Sequence, residues 1–97
     1  MRIDVVGKHL QITDAITQYA TTKAEKLLKF FDGTQQITVV CEQLPHAKFA
    51  VEVRVDVVKH EDFIAHAETE DLYSAIDLAV DKVGRQVRDF KEKLKTH

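Results

Sequence analysis

Eight cations stand out by type and spacing: Lys23 and Lys26 in one stretch, and Lys82, Arg85, Arg88, Lys91, Lys93 and Lys95 in another. Bases recurring every three or four residues line up along a helix, and a fixed line of cations is what a phosphate backbone can engage. From residue 82 to 95 only Asp89 and Glu92 offset them, so this stretch is +4 in a chain of net −2 and the remainder is −6. The helix macrodipole favours bases at a C-terminus, but it fades within a turn, whereas this run lasts about four turns. The i,i+4 pairs Asp81–Arg85, Arg85–Asp89 and Asp89–Lys93 offer a blander account, in which the charges only hold a solvated face together. A basic helix on an acidic body points instead to an anionic partner for that helix.

Other chemistries find no support in the residue pattern. The histidines at 9, 46, 60, 66 and 97 lack metal-ligand spacing. His66 reads as a solvated strand residue, and the lone Cys41 as an inert buried thiol. Glycines at 7, 33 and 84 cannot build a phosphate-cradling loop. No nucleophile–base pair is legible, so neither an enzyme, a cofactor nor a metal is expected.

These cations need two helices to position them. Residues 71–95 place Leu72, Ile76, Ala79, Val80, Val83, Val87, Phe90 and Leu94 on one apolar stripe. An earlier helix starts after Thr13, a good N-cap followed by Asp14, and is predicted to reach about Phe31. Its buried line is Ile16, Ala20, Ala24, Leu27 and Phe31, and Asp32-Gly33 is expected to end it with the glycine in the left-handed position. Lys23 falls inside that stripe with Lys26 on the same flank. One such lysine would snorkel past the core edge; two beside a basic second helix could close a positive groove that reads shape and not sequence.

Four strands complete the chain. Ile3 and Val5 alternate with polar neighbours up to Gly7, residues 36–44 form a second strand, and Pro45-His46 breaks it. Phe49, Val51, Val53, Val55 and Val57 alternate with Ala50, Glu52, Arg54 and Asp56, a strand with one face in water. After a polar turn at 59–62, Phe63, Ala65 and Ala67 alternate with Ile64, His66 and Glu68. The order β-α-β-β-β-α predicts an α+β domain with a four-stranded mixed sheet and both helices on one face. Its first two strands should be parallel through a right-handed crossover, and the last three an antiparallel meander. The sheet carries no exposed aromatics for stacking single-stranded bases.

A chain of 97 residues with 44% hydrophobic content is one domain, 1–97, with a modest core. The single cysteine excludes an internal disulfide and fits a reducing cytosol. No apolar run approaches the ~18 residues of a membrane span, and the N-terminus has no signal-peptide core. A soluble cytoplasmic protein is expected. The pI near 6.2 argues against indiscriminate coating of nucleic acid.

Asp71, Tyr73, Ala75-Ile76-Asp77, Asp81-Lys82, Arg85-Gln86, Lys91 and Lys93-Leu94-Lys95 resemble the C-terminal helix of the ribosome hibernation promoting factor family. That family includes ribosome-associated inhibitor A and the sigma-factor modulation proteins. Gly7, Ile12-Thr13, Ala15, Lys23, Lys26-Leu27 and Phe31-Asp32 extend the resemblance over the N-terminal half. The resemblance implies a fold similar to double-stranded-RNA-binding domains and a bacterial, cytoplasmic protein that docks in the small ribosomal subunit where messenger and transfer RNA would lie. Translation would be silenced there under stress or in stationary phase. It nominates Lys23, Lys26, Lys82, Arg85 and Lys91 as contacts to ribosomal RNA, then Lys93 and Lys95, with Arg88 adding charge and Lys29 weaker still. The chain looks like the short form of the family, expected to be monomeric and to need a second hibernation factor to pair ribosomes. A different reading is a regulatory domain whose acidic body binds a protein partner such as a transcription factor.

Overall fold

The computed structural model describes residues 2–29 and 33–95, except for the side chains of Leu28, Lys29, Leu94 and Lys95. Its elements run β1 (Arg2–Lys8), α1 (Asp14–Glu25), β2 (Thr34–Leu44), β3 (Lys48–Val57), β4 (Phe63–Thr69) and α2 (Leu72–Lys95). The sheet order is β1-β2-β3-β4. β1 pairs parallel with β2, and β2, β3 and β4 pair antiparallel in turn, as the helical link between the first two strands and the short turns between the others predicted.

One face of that sheet is dry. Ile37, Val39 and Cys41 of β2, Val51, Val53, Val55 and Val57 of β3, and Ala65 and Ala67 of β4 are all buried. Both helices cover this face, α2 across β3 and β4 and α1 toward β1. α2 buries Leu72, Ala75, Ile76, Ala79, Val80, Val83 and Val87, while Phe90 is half-buried at the stripe's end. Full burial of an aliphatic side chain such as Ile76 contributes about 1.5–3 kcal/mol. Burial raises the Cys41 thiol to about 11, consistent with an unreactive cysteine. The opposite face is polar: Arg54 pairs with Asp62 at 3.4 Å and Glu52 at 3.6 Å, and the exposed His66 lies 3.7 Å from Glu52.

Caps set both helix starts. Thr13 Oγ1 accepts from the Ile16 amide at 3.2 Å. Asp71, expected inside the second helix, precedes it and caps it: its carboxylate accepts from the Tyr73 amide at 3.3 Å and the Ser74 hydroxyl at 2.9 Å. The end of α1 departs from expectation. The α-helix stops at Glu25 and tightens into a 3₁₀ turn over Lys26–Lys29, which keeps Leu27 buried. Closing the last turn by shorter-range bonds satisfies carbonyls without a left-handed residue, and no described glycine, Gly33 included, has a positive φ. Phe31 and Asp32 lie outside the described residues.

Gly7 holds a close approach. After β1 the chain reverses through His9 (φ 53°) and lays Leu10 and Ile12 back over it. A Cβ at Gly7 would collide with the Leu10 carbonyl oxygen and stand 2.9 Å from Ile12 Cγ1. Gly7→Ala is therefore expected to destabilise the fold by about 1–3 kcal/mol, the usual cost of overpacking. Urea denaturation checks this; an unchanged midpoint would refute the close approach.

Candidate nucleic-acid interface

Because α2's apolar stripe faces the sheet, its polar residues fall on two flanks and an outer ridge. The flank facing α1 carries Asp81, Gly84, Arg85 and Arg88, at helical steps of three and four. Across from them stand Lys23, Lys26 and Leu27, and the resulting groove has a volume of about 280 Å³. Leu27, Val80 and Gly84 form its floor, and four bases against the single Asp81 form its walls. The expected positive groove between the helices is thus present in the geometry.

Neither of the two pairings expected to neutralise Arg85 forms among the described residues. Among the described residues Arg85 reaches neither Asp81 nor Asp89 within ion-pair distance, and Lys26 has no acidic partner. Lys23 is engaged: its Nζ lies 3.4 Å from Asp77 Oδ1 and 5.7 Å from the centre of the Tyr19 ring. Its presence in the apolar stripe is explained by that contact, which ties α1 to α2.

Other nominated residues sit elsewhere. Lys82 lies on the far flank of α2 and donates from Nζ to the His66 carbonyl at 2.9 Å. Gln86, one turn on, donates to the Ile64 carbonyl at 3.1 Å. Both close the outer edge of β4, so Lys82 does not line the groove. Helical spacing carries the half-buried Lys91 along the α1 side after Arg88 and puts the exposed Lys93 on the β4 side. The side chains of Lys95 and Lys29 lie outside the described residues.

Sequence reading missed the polar tie beneath the groove. Tyr19 donates its phenol to Asp77 Oδ1 at 2.7 Å, and Tyr73 meets the Tyr19 ring edge-on, 4.9 Å between centres at 88°. Tyr19–Lys23 and Tyr73–Asp77 are each i,i+4 pairs, a signal in the sequence, but nothing there says that the two pairs face one another. Among the described residues no group of three or more His, Cys, Asp or Glu could hold a metal, and no helix is long and apolar enough to cross a membrane.

Comparison with known proteins bears on this arrangement. Residues 3–95 match the family model described as Sigma 54 modulation protein / S30EA ribosomal protein. The chain belongs to that family. It is 35% identical over 99 aligned positions to the ribosome hibernation promoting factor of Escherichia coli K12, with all of both chains covered. The factor of the same name from Azotobacter vinelandii is 36% identical, with 96% of this chain and 85% of that protein covered. Among solved structures, the N-terminal domain of Thermus thermophilus Protein Y superposes with a TM-score of 0.82 at 35% identity, covering 93% of this chain and 99% of that one. A ribosomal subunit interface protein from Coxiella burnetii shares the fold, with a TM-score of 0.85 at 23% identity, covering 95% and 99%. The family resemblance carried by the C-terminal helix is borne out.

The Tyr19–Asp77 bond has a measurable signature. Donation to Asp77 raises the Tyr19 phenol above its ordinary 10.0, with desolvation and the charges of Asp77 and Asp71 adding to the effect. A raised folded-state value means the contribution is complete below the ordinary phenol value and is lost as pH rises through the folded one. The stability gap between the wild type and Tyr19→Phe should be widest below about pH 10 and shrink above it. Urea titrations on either side of that pH test it, and a pH-independent gap would contradict the bond.

Proposed function

We propose that this protein is a ribosome hibernation factor that binds the small ribosomal subunit on the path of messenger and transfer RNA. Translation is silenced by occupancy, without catalysis, under stress and in stationary phase in the bacterial cytoplasm. The observation that carries this reading is the groove between α1 and α2, where Lys23, Lys26, Arg85 and Arg88 converge. Arg85 and Lys26 enter it uncommitted to any acid among the described residues. Such a site suits ribosomal RNA phosphates held in a fixed geometry. The names of the full-length relatives support the same partner. We further infer that the protein acts as a monomer, since Lys82 and Gln86 occupy outward carbonyls of the edge strand β4. Pairing of ribosomes then requires a second factor.

Two measurements on purified small subunits test this. If about six phosphates are contacted, affinity should fall on the order of a thousandfold between ~50 and ~200 mM salt, on a scale established for double-helical DNA. Arg85→Glu should remove most of the binding, and Lys82→Glu distinctly less, because only Arg85 lines the groove. Binding that survives Arg85→Glu and ignores salt would move the site to the acidic body and favour a protein partner.

A further inference from the structure

α1 carries a second concavity on its solvent side, of about 380 Å³, lined by Ala15, Gln18, Tyr19, Thr22 and Lys23. These residues share one helix face by spacing. Ala15 leaves depth, Tyr19 provides an aromatic wall, and Gln18 and Thr22 provide hydrogen-bonding groups. Both of the latter are exposed, and neither side chain has a hydrogen-bond partner among the described residues. The ring of Tyr19 is fixed by its phenol on Asp77 and by Tyr73 against it. Lys23 lines this concavity and the basic groove alike, so it forms the wall between them.

A planar wall, polar groups able to meet a base edge, and a cation shared with a phosphate-binding groove together fit one nucleotide. Paired bases are stacked inside a duplex and cannot enter; an unpaired base can. We propose that Gln18, Tyr19 and Thr22 receive a single unpaired RNA base whose own phosphate is held by Lys23 in the adjoining groove. This rests on the groove reading above and adds to it a preference for interrupted over continuous helices. A phosphate entering the groove competes with Asp77 for the Lys23 ammonium. As that ammonium leaves its position over the Tyr19 ring, it uncovers the ring face on which the base stacks.

The chain has no tryptophan and only two tyrosines, both at this place, so intrinsic tyrosine emission reports on it directly. The test uses two short synthetic RNA duplexes at constant salt, one fully paired and one with a single bulged nucleotide. The wild type should bind the bulged RNA on the order of tenfold tighter and lose tyrosine emission only with it. The doubly substituted Gln18→Ala, Thr22→Ala variant should bind both RNAs alike, with wild-type affinity and salt slope for the paired one, which also shows that it is folded. Equal binding of both RNAs by the wild type, or a preference that persists in the double variant, would overturn the base site and leave the groove reading standing. Failure of the wild type to bind either RNA would overturn both.

Discussion

The geometry of this molecule depends on one constraint: the apolar stripe of α2 must lie on the dry face of β3 and β4. Leu72, Ile76, Val80, Val83 and Val87 leave the helix no freedom to roll, because any rotation would expose aliphatic surface. The roll angle then decides where each charge points. Arg85 and Arg88 face α1 and make one wall of a groove, while Lys82 and Gln86 face the sheet edge and satisfy its carbonyls. The polar residues of α2 are thereby split between a flank that lines the groove and a flank that closes the sheet edge.

Polar contacts also join the second helix wall to α2. Asp77 accepts from Tyr19 and pairs with Lys23, joining α1 to α2 at the end of the groove where α2 begins. A partly exposed ion pair of this kind contributes little to stability, and the seating of α1 rests on its buried Ile16, Ala20 and Ala24 and on Leu27 just after it. The pair also leaves the groove electrostatically graded. Lys23 is paired at the Asp77 end, whereas Lys26 and Arg85 have no acidic partner among the described residues.

The acidic remainder of the chain fits the same design. With −6 outside the basic stretch, non-specific attraction to polyanions is opposed everywhere except on the helices. On the polar sheet face Arg54 is held by Glu52 and Asp62.

The element order, the one-sided sheet and the stripe of α2 were legible in the sequence because each rests on a local period, and the parallel first pair of strands because a helix joins them. Alternation from Phe49 to Val57 admits only a strand with one dry face, and three-and-four spacing from Leu72 to Val87 admits only a helix on a surface. The sequence also supplied the cations of the groove as residue types. Only the tertiary structure decided which of them converge. Lys82 and Arg85 are three residues apart and equivalent in any local description, yet one is bound to the His66 carbonyl and the other stands in the groove. The Tyr19–Asp77 bond spans 58 residues, and no periodicity within a helix can encode it. The early 3₁₀ ending of α1 was likewise hidden, since Asp32-Gly33 is a sound local stop signal and nothing in the local spacing marks the tightening at Lys26, which leaves Leu27 buried. Local spacing fixes what a helix offers, and packing against distant parts of the chain fixes which way it is offered.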